Sequence, residues 1–201
     1  MTTVNLWSEQ DCAAWHEALD SYPQVIAAQG NERLTRLDGW YSYELPARLA
    51  SRHNPFITAD ELERIASWKM TRGVWRERNR QLVRSNEPEQ VAALSRKAFS
   101  EVPDLRKPIS TLSALAGVGP ATASAVMAAY APQVYLFFDE LVAAQIPGLG
   151  PVAFTAKYYI AYAEKLQERA AQLRDACPRH GWTPHDTAQA LWAASGGKSH
   201  S

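Results

Sequence analysis

In LAGVGPATASAVMAAYAPQVYLFFDEL, residues 115–141, a Gly117-Val118-Gly119 turn closes one apolar helical pattern and opens another. A carboxylate pair, Asp139 and Glu140, follows about twenty residues later. These two acids are the only charged side chains between Pro108 and Ala156, a span of 49 residues. So polar a pair in so apolar a surround needs a physical reason, because unpaired charge is costly to bury.

The turn explains part of it. Two glycines around one small apolar residue let the backbone bend tightly through conformations closed to other residues. Pro120 then starts a helix at a position that proline favours. The first-turn amides of that helix lack intrahelical partners and, with those of the turn, form a ready site for a phosphate oxygen. A glycine turn between two helices is equally compatible with an ordinary αα-hairpin ending in a glycine cap. Asp139 has a structural reading too, as N-cap of a helix over 140–146. Capping does not exclude chemistry.

The run Leu115-Ala116-Gly117-Val118-Gly119-Pro120-Ala121-Thr122-Ala123 resembles the helix-hairpin-helix motif of the DNA glycosylase superfamily that includes endonuclease III, the adenine glycosylases and the alkyladenine glycosylases. In those enzymes the hairpin grips a DNA phosphate and an essential Asp follows at a fixed distance. Laid on this chain from Leu115, the motif puts that Asp on Asp139 without a gap. The resemblance is good over about a quarter of the chain and loose on either side. It implies an all-α fold of two lobes, with the hairpin in a central helical barrel and the second lobe drawn from the chain ends. It implies further that Gly117, Val118, Gly119, Ala121 and Thr122 form the phosphate-binding hairpin and that Asp139 is catalytic.

Two departures shape the expected chemistry. Relatives that also cut the strand carry a lysine two residues after the second hairpin glycine, where this chain has Ala121. A monofunctional glycosylase is therefore expected, without the Schiff-base lyase step. The residues after Asp139 are Glu140 and Leu141 rather than small or polar ones, and Phe137 and Phe138 precede it. A reshaped pocket, or a binding module that has lost catalysis, follows from that difference.

A second informative segment is KMTRGVWRERNRQLVR, residues 69–84. It carries Lys69, Arg72, Arg76, Arg78, Arg80 and Arg84 against Glu77, six bases to one acid, or a local charge of +5. With Trp68 and Trp75 interleaved, it reads as a surface for a nucleic-acid backbone, for which Lys69, Arg72, Arg76 and Arg80 are the candidates. Its alternative is a solvated helix face whose arginines pair with acids elsewhere. A flipped base needs stacking partners, and Trp40, Tyr43, Trp68, Trp75 and Phe138 are candidates for the pocket. Aromatic clusters of this density also build cores.

Across the whole chain, 201 residues suit one domain, here residues 1–195 with a disordered tail at 196–201. Net charge is zero, 21 bases against 21 acids, so any nucleic-acid surface must come from distribution rather than sum. No run is long enough to span a bilayer, and MTTVNLWSEQ lacks the pattern of a signal peptide. A monomer in the cytoplasm or nucleoid, bound to double-stranded DNA and to no membrane, is expected. Cys12 and Cys177 stand alone and cannot ligate a four-cysteine iron–sulfur cluster. They are expected as free thiols. Five scattered histidines suggest no metal site. No cofactor is expected, a monovalent cation at the hairpin being the one candidate.

Overall fold

The computed structural model describes residues 5–178 and 180–198. Among them the secondary structure is helical throughout, without a strand. The all-α expectation holds.

Near the N-terminus, α1 (Cys12–Asp20) is capped by Asp11, whose carboxylate accepts from the Ala13 amide. Pro23 sits in the first turn of α2 (Tyr22–Ala28), where its missing N–H costs nothing. Next comes α3 (Glu32–Gly39), capped by Asn31. The proline at 46 invites a helix start there, but the chain is already helical. A π-helical stretch, Trp40–Glu44, joins α3 to α4 (Leu45–Ser51). Pro46 offers no N–H to the preceding turn, and the wider stretch absorbs that gap, with Leu45 N bonding to Trp40 O.

Helix α5 (Ala59–Arg72) opens on a capping box between Thr58 and Glu61 and stops at Gly73. The loop leads into α6 (Glu77–Arg84), then α7 (Pro88–Ser100) and α8 (Lys107–Leu112). Pro108 is taken up in the first turn of α8. A turn through Gly119 leads to α9 (Pro120–Tyr130), whose residues 121–129 are all buried. Such a helix, apolar all round, belongs at the centre of a fold. It packs against α4, α5, α7, α8 and the long α11 (Ala156–Ala176).

Between α9 and α11 the chain runs extended through Tyr135–Phe138 into the short α10 (Glu140–Ala143). The last helix, α12 (Pro184–Ala194), has a capping box of Thr183 and Asp186 and packs on α1, α2, α10 and α11. The first and last helices therefore meet on one side, and Arg169 of α11 donates to Trp7 O and Glu9 O there. Cys12 and Cys177 are disulfide-bonded there, a correction to the free thiols expected. Helix packing brings the N-terminus of α1 to the C-terminus of α11, which sequence separation concealed. The ground that free thiols would lend to a reducing compartment falls away. Gly196–Lys198, expected as the start of a disordered tail, folds back on the body: Gln29 donates to Gly196 O. Residues 199–201 lie outside the described residues. No helix among the described residues is long and apolar enough to cross a membrane.

Candidate active site

A cavity of about 300 Å³ opens between the end of α5, the turn before α9 and the start of α10. Gly117, Gly119, Pro120 and Ala121 line it together with Lys69, Arg72, Gly73, Val74, Arg76 and Asn79. Phe138, Asp139, Glu140, Leu141, Phe154 and Trp192 also line it. The glycine turn and the carboxylate pair, separated in sequence, thus share one space. That juxtaposition is the main structural result.

Each wall has a local cause. Gly117 has φ of 73°, in the left-handed region, and a Cβ there would lie 2.9 Å from the Val83 backbone nitrogen and 3.0 Å from Asn79 O. Glycine is required by both conformation and space. Asn86 fixes the adjoining residue from both sides: its Nδ2 donates to Ala116 O at 2.9 Å, and Ala116 N donates to its Oδ1 at 2.8 Å. Gly119 differs. Its φ of −96° suits any residue, and a Cβ there would meet nothing within 4 Å. The fold makes no demand for glycine at 119, whereas a ligand approaching the backbone would. Among the described residues, the amides of Gly119 and Ala121 make no backbone hydrogen bond, while those of Thr122 and Ala123 bond to Gly119 O.

Asp139 is buried and uses both oxygens. Oδ1 accepts from the Leu141 amide at 2.8 Å as the N-cap of α10. Oδ2 accepts from Arg72 Nε at 3.0 Å. Arg72 is itself buried, with Trp192, Trp68, Tyr22 and Phe137 around its guanidinium at 3.9–5.7 Å. Its Nη1 donates to Tyr22 Oη at 2.6 Å, and Tyr22 Oη donates to Asp38 Oδ1 at 2.9 Å. Trp68 Nε1 donates to the same Asp38 oxygen at 2.9 Å. Burial alone would lower the Arg72 pKa, but Tyr22, Asp139 and Asp38 together raise it above the usual arginine value. Arg72 is therefore a fixed cation between two acids, and the trio carries a net charge of −1.

Ser124 of α9 ties this to the glycine turn. Its Oγ accepts from the Phe138 amide at 2.9 Å and donates to Ala121 O at 3.0 Å. The residue before Asp139 is thereby registered on the helix that begins at the glycine turn.

The expected site residues divide. Gly117, Gly119 and Ala121 face the cavity; Val118 and Thr122 are buried and do not line it, a correction to their expected place in a phosphate grip. Helical rotation turns Thr122 into the core, and Val118 is buried from the turn itself. Lys69 and Arg76 line the cavity and have no acid partner among the described residues. Arg72 is no surface contact for a backbone, since Asp139 holds it inside. Arg80 is engaged by Glu63 at 2.7 Å and Glu77 at 3.4 Å. Of the pocket aromatics, only Phe138 lines the cavity. Trp40 and Trp68 are core residues, the latter stacked on Tyr41 at 3.8 Å, whereas Tyr43 is 71% exposed. Trp75 sits at the surface against Arg33, outside the cavity.

Asp38, Tyr22, Asn79, Phe154 and Lys198 complete the site without having been singled out. Glu140 accepts from Lys198 Nζ at 2.9 Å on the rim. Four bases (Lys69, Arg72, Arg76, Lys198) against two acids (Asp139, Glu140) leave the lining at +2. No group of three or more metal-ligating side chains occurs among the described residues. No protein-family model, curated protein or solved structure matches the chain significantly.

Proposed function

We propose that this protein is a helix-hairpin-helix DNA glycosylase of base excision repair, hydrolysing the N-glycosidic bond of a damaged or modified base flipped out of duplex DNA. The observation that carries the reading is the shared cavity: Asp139 and the glycine turn line one space, bordered by Lys69 and Arg76, which have no acid partner among the described residues. Its volume, about 300 Å³, is of the size that takes small organic ligands.

The turn before α9 would hold a phosphate through the amides of Gly119 and Ala121, with the +2 lining adding attraction for a polyanion. Phe154, in the cavity lining and half-exposed, offers an aromatic face for the flipped base, with the buried Phe138 behind it. As the bond to the base lengthens, positive charge grows on the sugar. The Asp139 carboxylate, which lines the cavity, would stabilise that charge, with Asp38 sharing the Arg72 cation. A non-catalytic duplex-binding module is the second reading. It is favoured by the ion pair with Arg72, which weakens the field that Asp139 can project.

Turnover separates the two. Duplexes carrying alkylated, deaminated, oxidised or mismatched bases are incubated with the protein, and released bases are measured chromatographically. Base release that disappears in Asp139→Asn, with duplex binding retained, establishes the glycosylase. Duplex binding without release of any base favours the binding module, and absence of binding overturns both.

A further inference from the structure

The cavity holds charges of both signs, but its acids are all paired and two of its bases are not. Asp139 is neutralised by Arg72, with Nε to Oδ2 at 3.0 Å, and Glu140 by Lys198 at 2.9 Å. Half-buried Lys69 and exposed Arg76 line the same space with no acid partner among the described residues. Asp38, 4.0 Å from Arg72 Nη1, lines no part of the cavity and leaves its balance positive. Ammonium and guanidinium groups donate hydrogen bonds and accept none. The charged groups left over for a ligand are therefore donors alone.

We infer that the cavity selects an uncharged base rich in carbonyl oxygens, as deamination or oxidation produces, and rejects the cationic bases that ring-nitrogen alkylation produces. This rests on the glycosylase reading of the cavity and names the substrate class within it. Carbonyl oxygens match the free donors, whereas a cation meets two like charges. The ring of Phe154 favours a cation, but a ring quadrupole is a weaker and shorter-ranged field than two full charges.

The same charges bear on the bond-breaking step. When the C1′–N bond of a neutral base breaks, its electron pair goes to the base, and negative charge spreads onto the carbonyl oxygens. Lys69 and Arg76 stabilise that charge where it develops. Water adds to C1′, and the proton it loses ends on the departed base, so atoms and charge balance. A cationic alkylated base leaves as a neutral molecule and gains nothing from these two residues.

The test uses duplexes alike but for one nucleotide, set opposite an abasic analogue so that pairing does not differ. That nucleotide carries hypoxanthine, 8-oxoguanine, 7-methylguanine or its uncharged isostere 7-methyl-7-deazaguanine, in mildly acidic buffer where 7-methylguanine is a cation. Fluorescence anisotropy should show hypoxanthine and 8-oxoguanine bound about tenfold or more tightly than 7-methylguanine, with the isostere between them. Combining Lys69→Gln with Arg76→Gln should shrink that difference by about threefold or more. Lys69→Arg keeps the charge and should preserve it, as should Arg78→Gln, which removes an exposed arginine outside the cavity lining. Urea midpoints confirm that the variants are folded. Equal or tighter binding of 7-methylguanine overturns the inference, and so does a preference that the double variant leaves whole. Base release is measured chromatographically on the same duplexes. Selective binding without release sinks the enzyme and leaves the selectivity of the cavity standing. Release of 7-methylguanine ahead of the neutral bases sinks the selectivity and leaves the enzyme standing, and absence of duplex binding overturns both.

Discussion

Arg72 and Asp139, 67 positions apart, form a buried ion pair in which Nε donates to Oδ2 at 3.0 Å and both side chains are more than nine-tenths covered. Removing one partner leaves the other charge uncompensated away from water. Arg72→Met should therefore lower stability by about 3–5 kcal/mol in urea denaturation. A midpoint unchanged from wild type would mean that the pair is solvated, and that Asp139 is freer to act on a ligand than the geometry allows.

The two glycines of the turn should separate folding from binding. Gly117→Ala forces a Cβ against the backbone of α6 at positive φ and should cost about 2 kcal/mol or more. Gly119→Ser should stay within about 0.5 kcal/mol of wild type, since serine is a good N-cap. Its hydroxyl would nevertheless compete for the α9 amides, so duplex affinity should fall. Equal affinity for duplex in Gly119→Ser and wild type would remove the turn from the binding surface.

Salt dependence should distinguish the arginines. Arg76 lines the cavity with no acid partner among the described residues, so Arg76→Ala should reduce the slope of log affinity against log salt by about one. Arg80 already satisfies Glu63 and Glu77, and Arg80→Ala should leave that slope close to wild type. Titrations by fluorescence anisotropy across a salt series read both slopes, and the reverse ranking would contradict the assignment.

His185 sets an acid limit. Burial lowers its pKa, with Arg72 adding to that and Asp186 opposing it, so the folded state disfavours the imidazolium. The unfolded chain then binds more protons below its own value of about 6.5, and stability falls as pH drops through that value toward the lowered folded one. Urea midpoints measured between about pH 7 and pH 5 should decline in wild type and decline less in His185→Gln. Parallel profiles would show that His185 is not the group responsible.

Much of this was legible in the residues. The glycine turn, the Pro120 helix start, the Thr58 and Thr183 caps and the isolated carboxylates each follow from local chemistry, and each stands where the spacing puts it. The role of Arg72 was legible too, by a different signal from the one that charge counting uses. Ile65, Trp68 and Arg72 fall on one face of α5, as Leu34, Asp38 and Tyr41 do along α3 and its π-helical continuation. An arginine and an aspartate, each at an apolar-face position, announce a buried partner. Treating residues 69–84 as one charged segment hid that, because Arg72 before Gly73 faces the core while Arg76, Arg78 and Arg84 beyond it are exposed. The Cys12–Cys177 bond and the Lys198–Glu140 contact depend on how chain ends pack, and nothing local encodes them.

The two-sided hold of Asn86 on Ala116 has a consequence for how a ligand is met. With Gly117 seated against Val83 and Asn79, it couples the turn before α9 to α6 as one body, and Asn79 at the cavity wall belongs to that body. A long anion lying across this surface encounters donors whose spacing is already set. The entropic toll of arranging them is charged to folding, so the encounter itself proceeds without it.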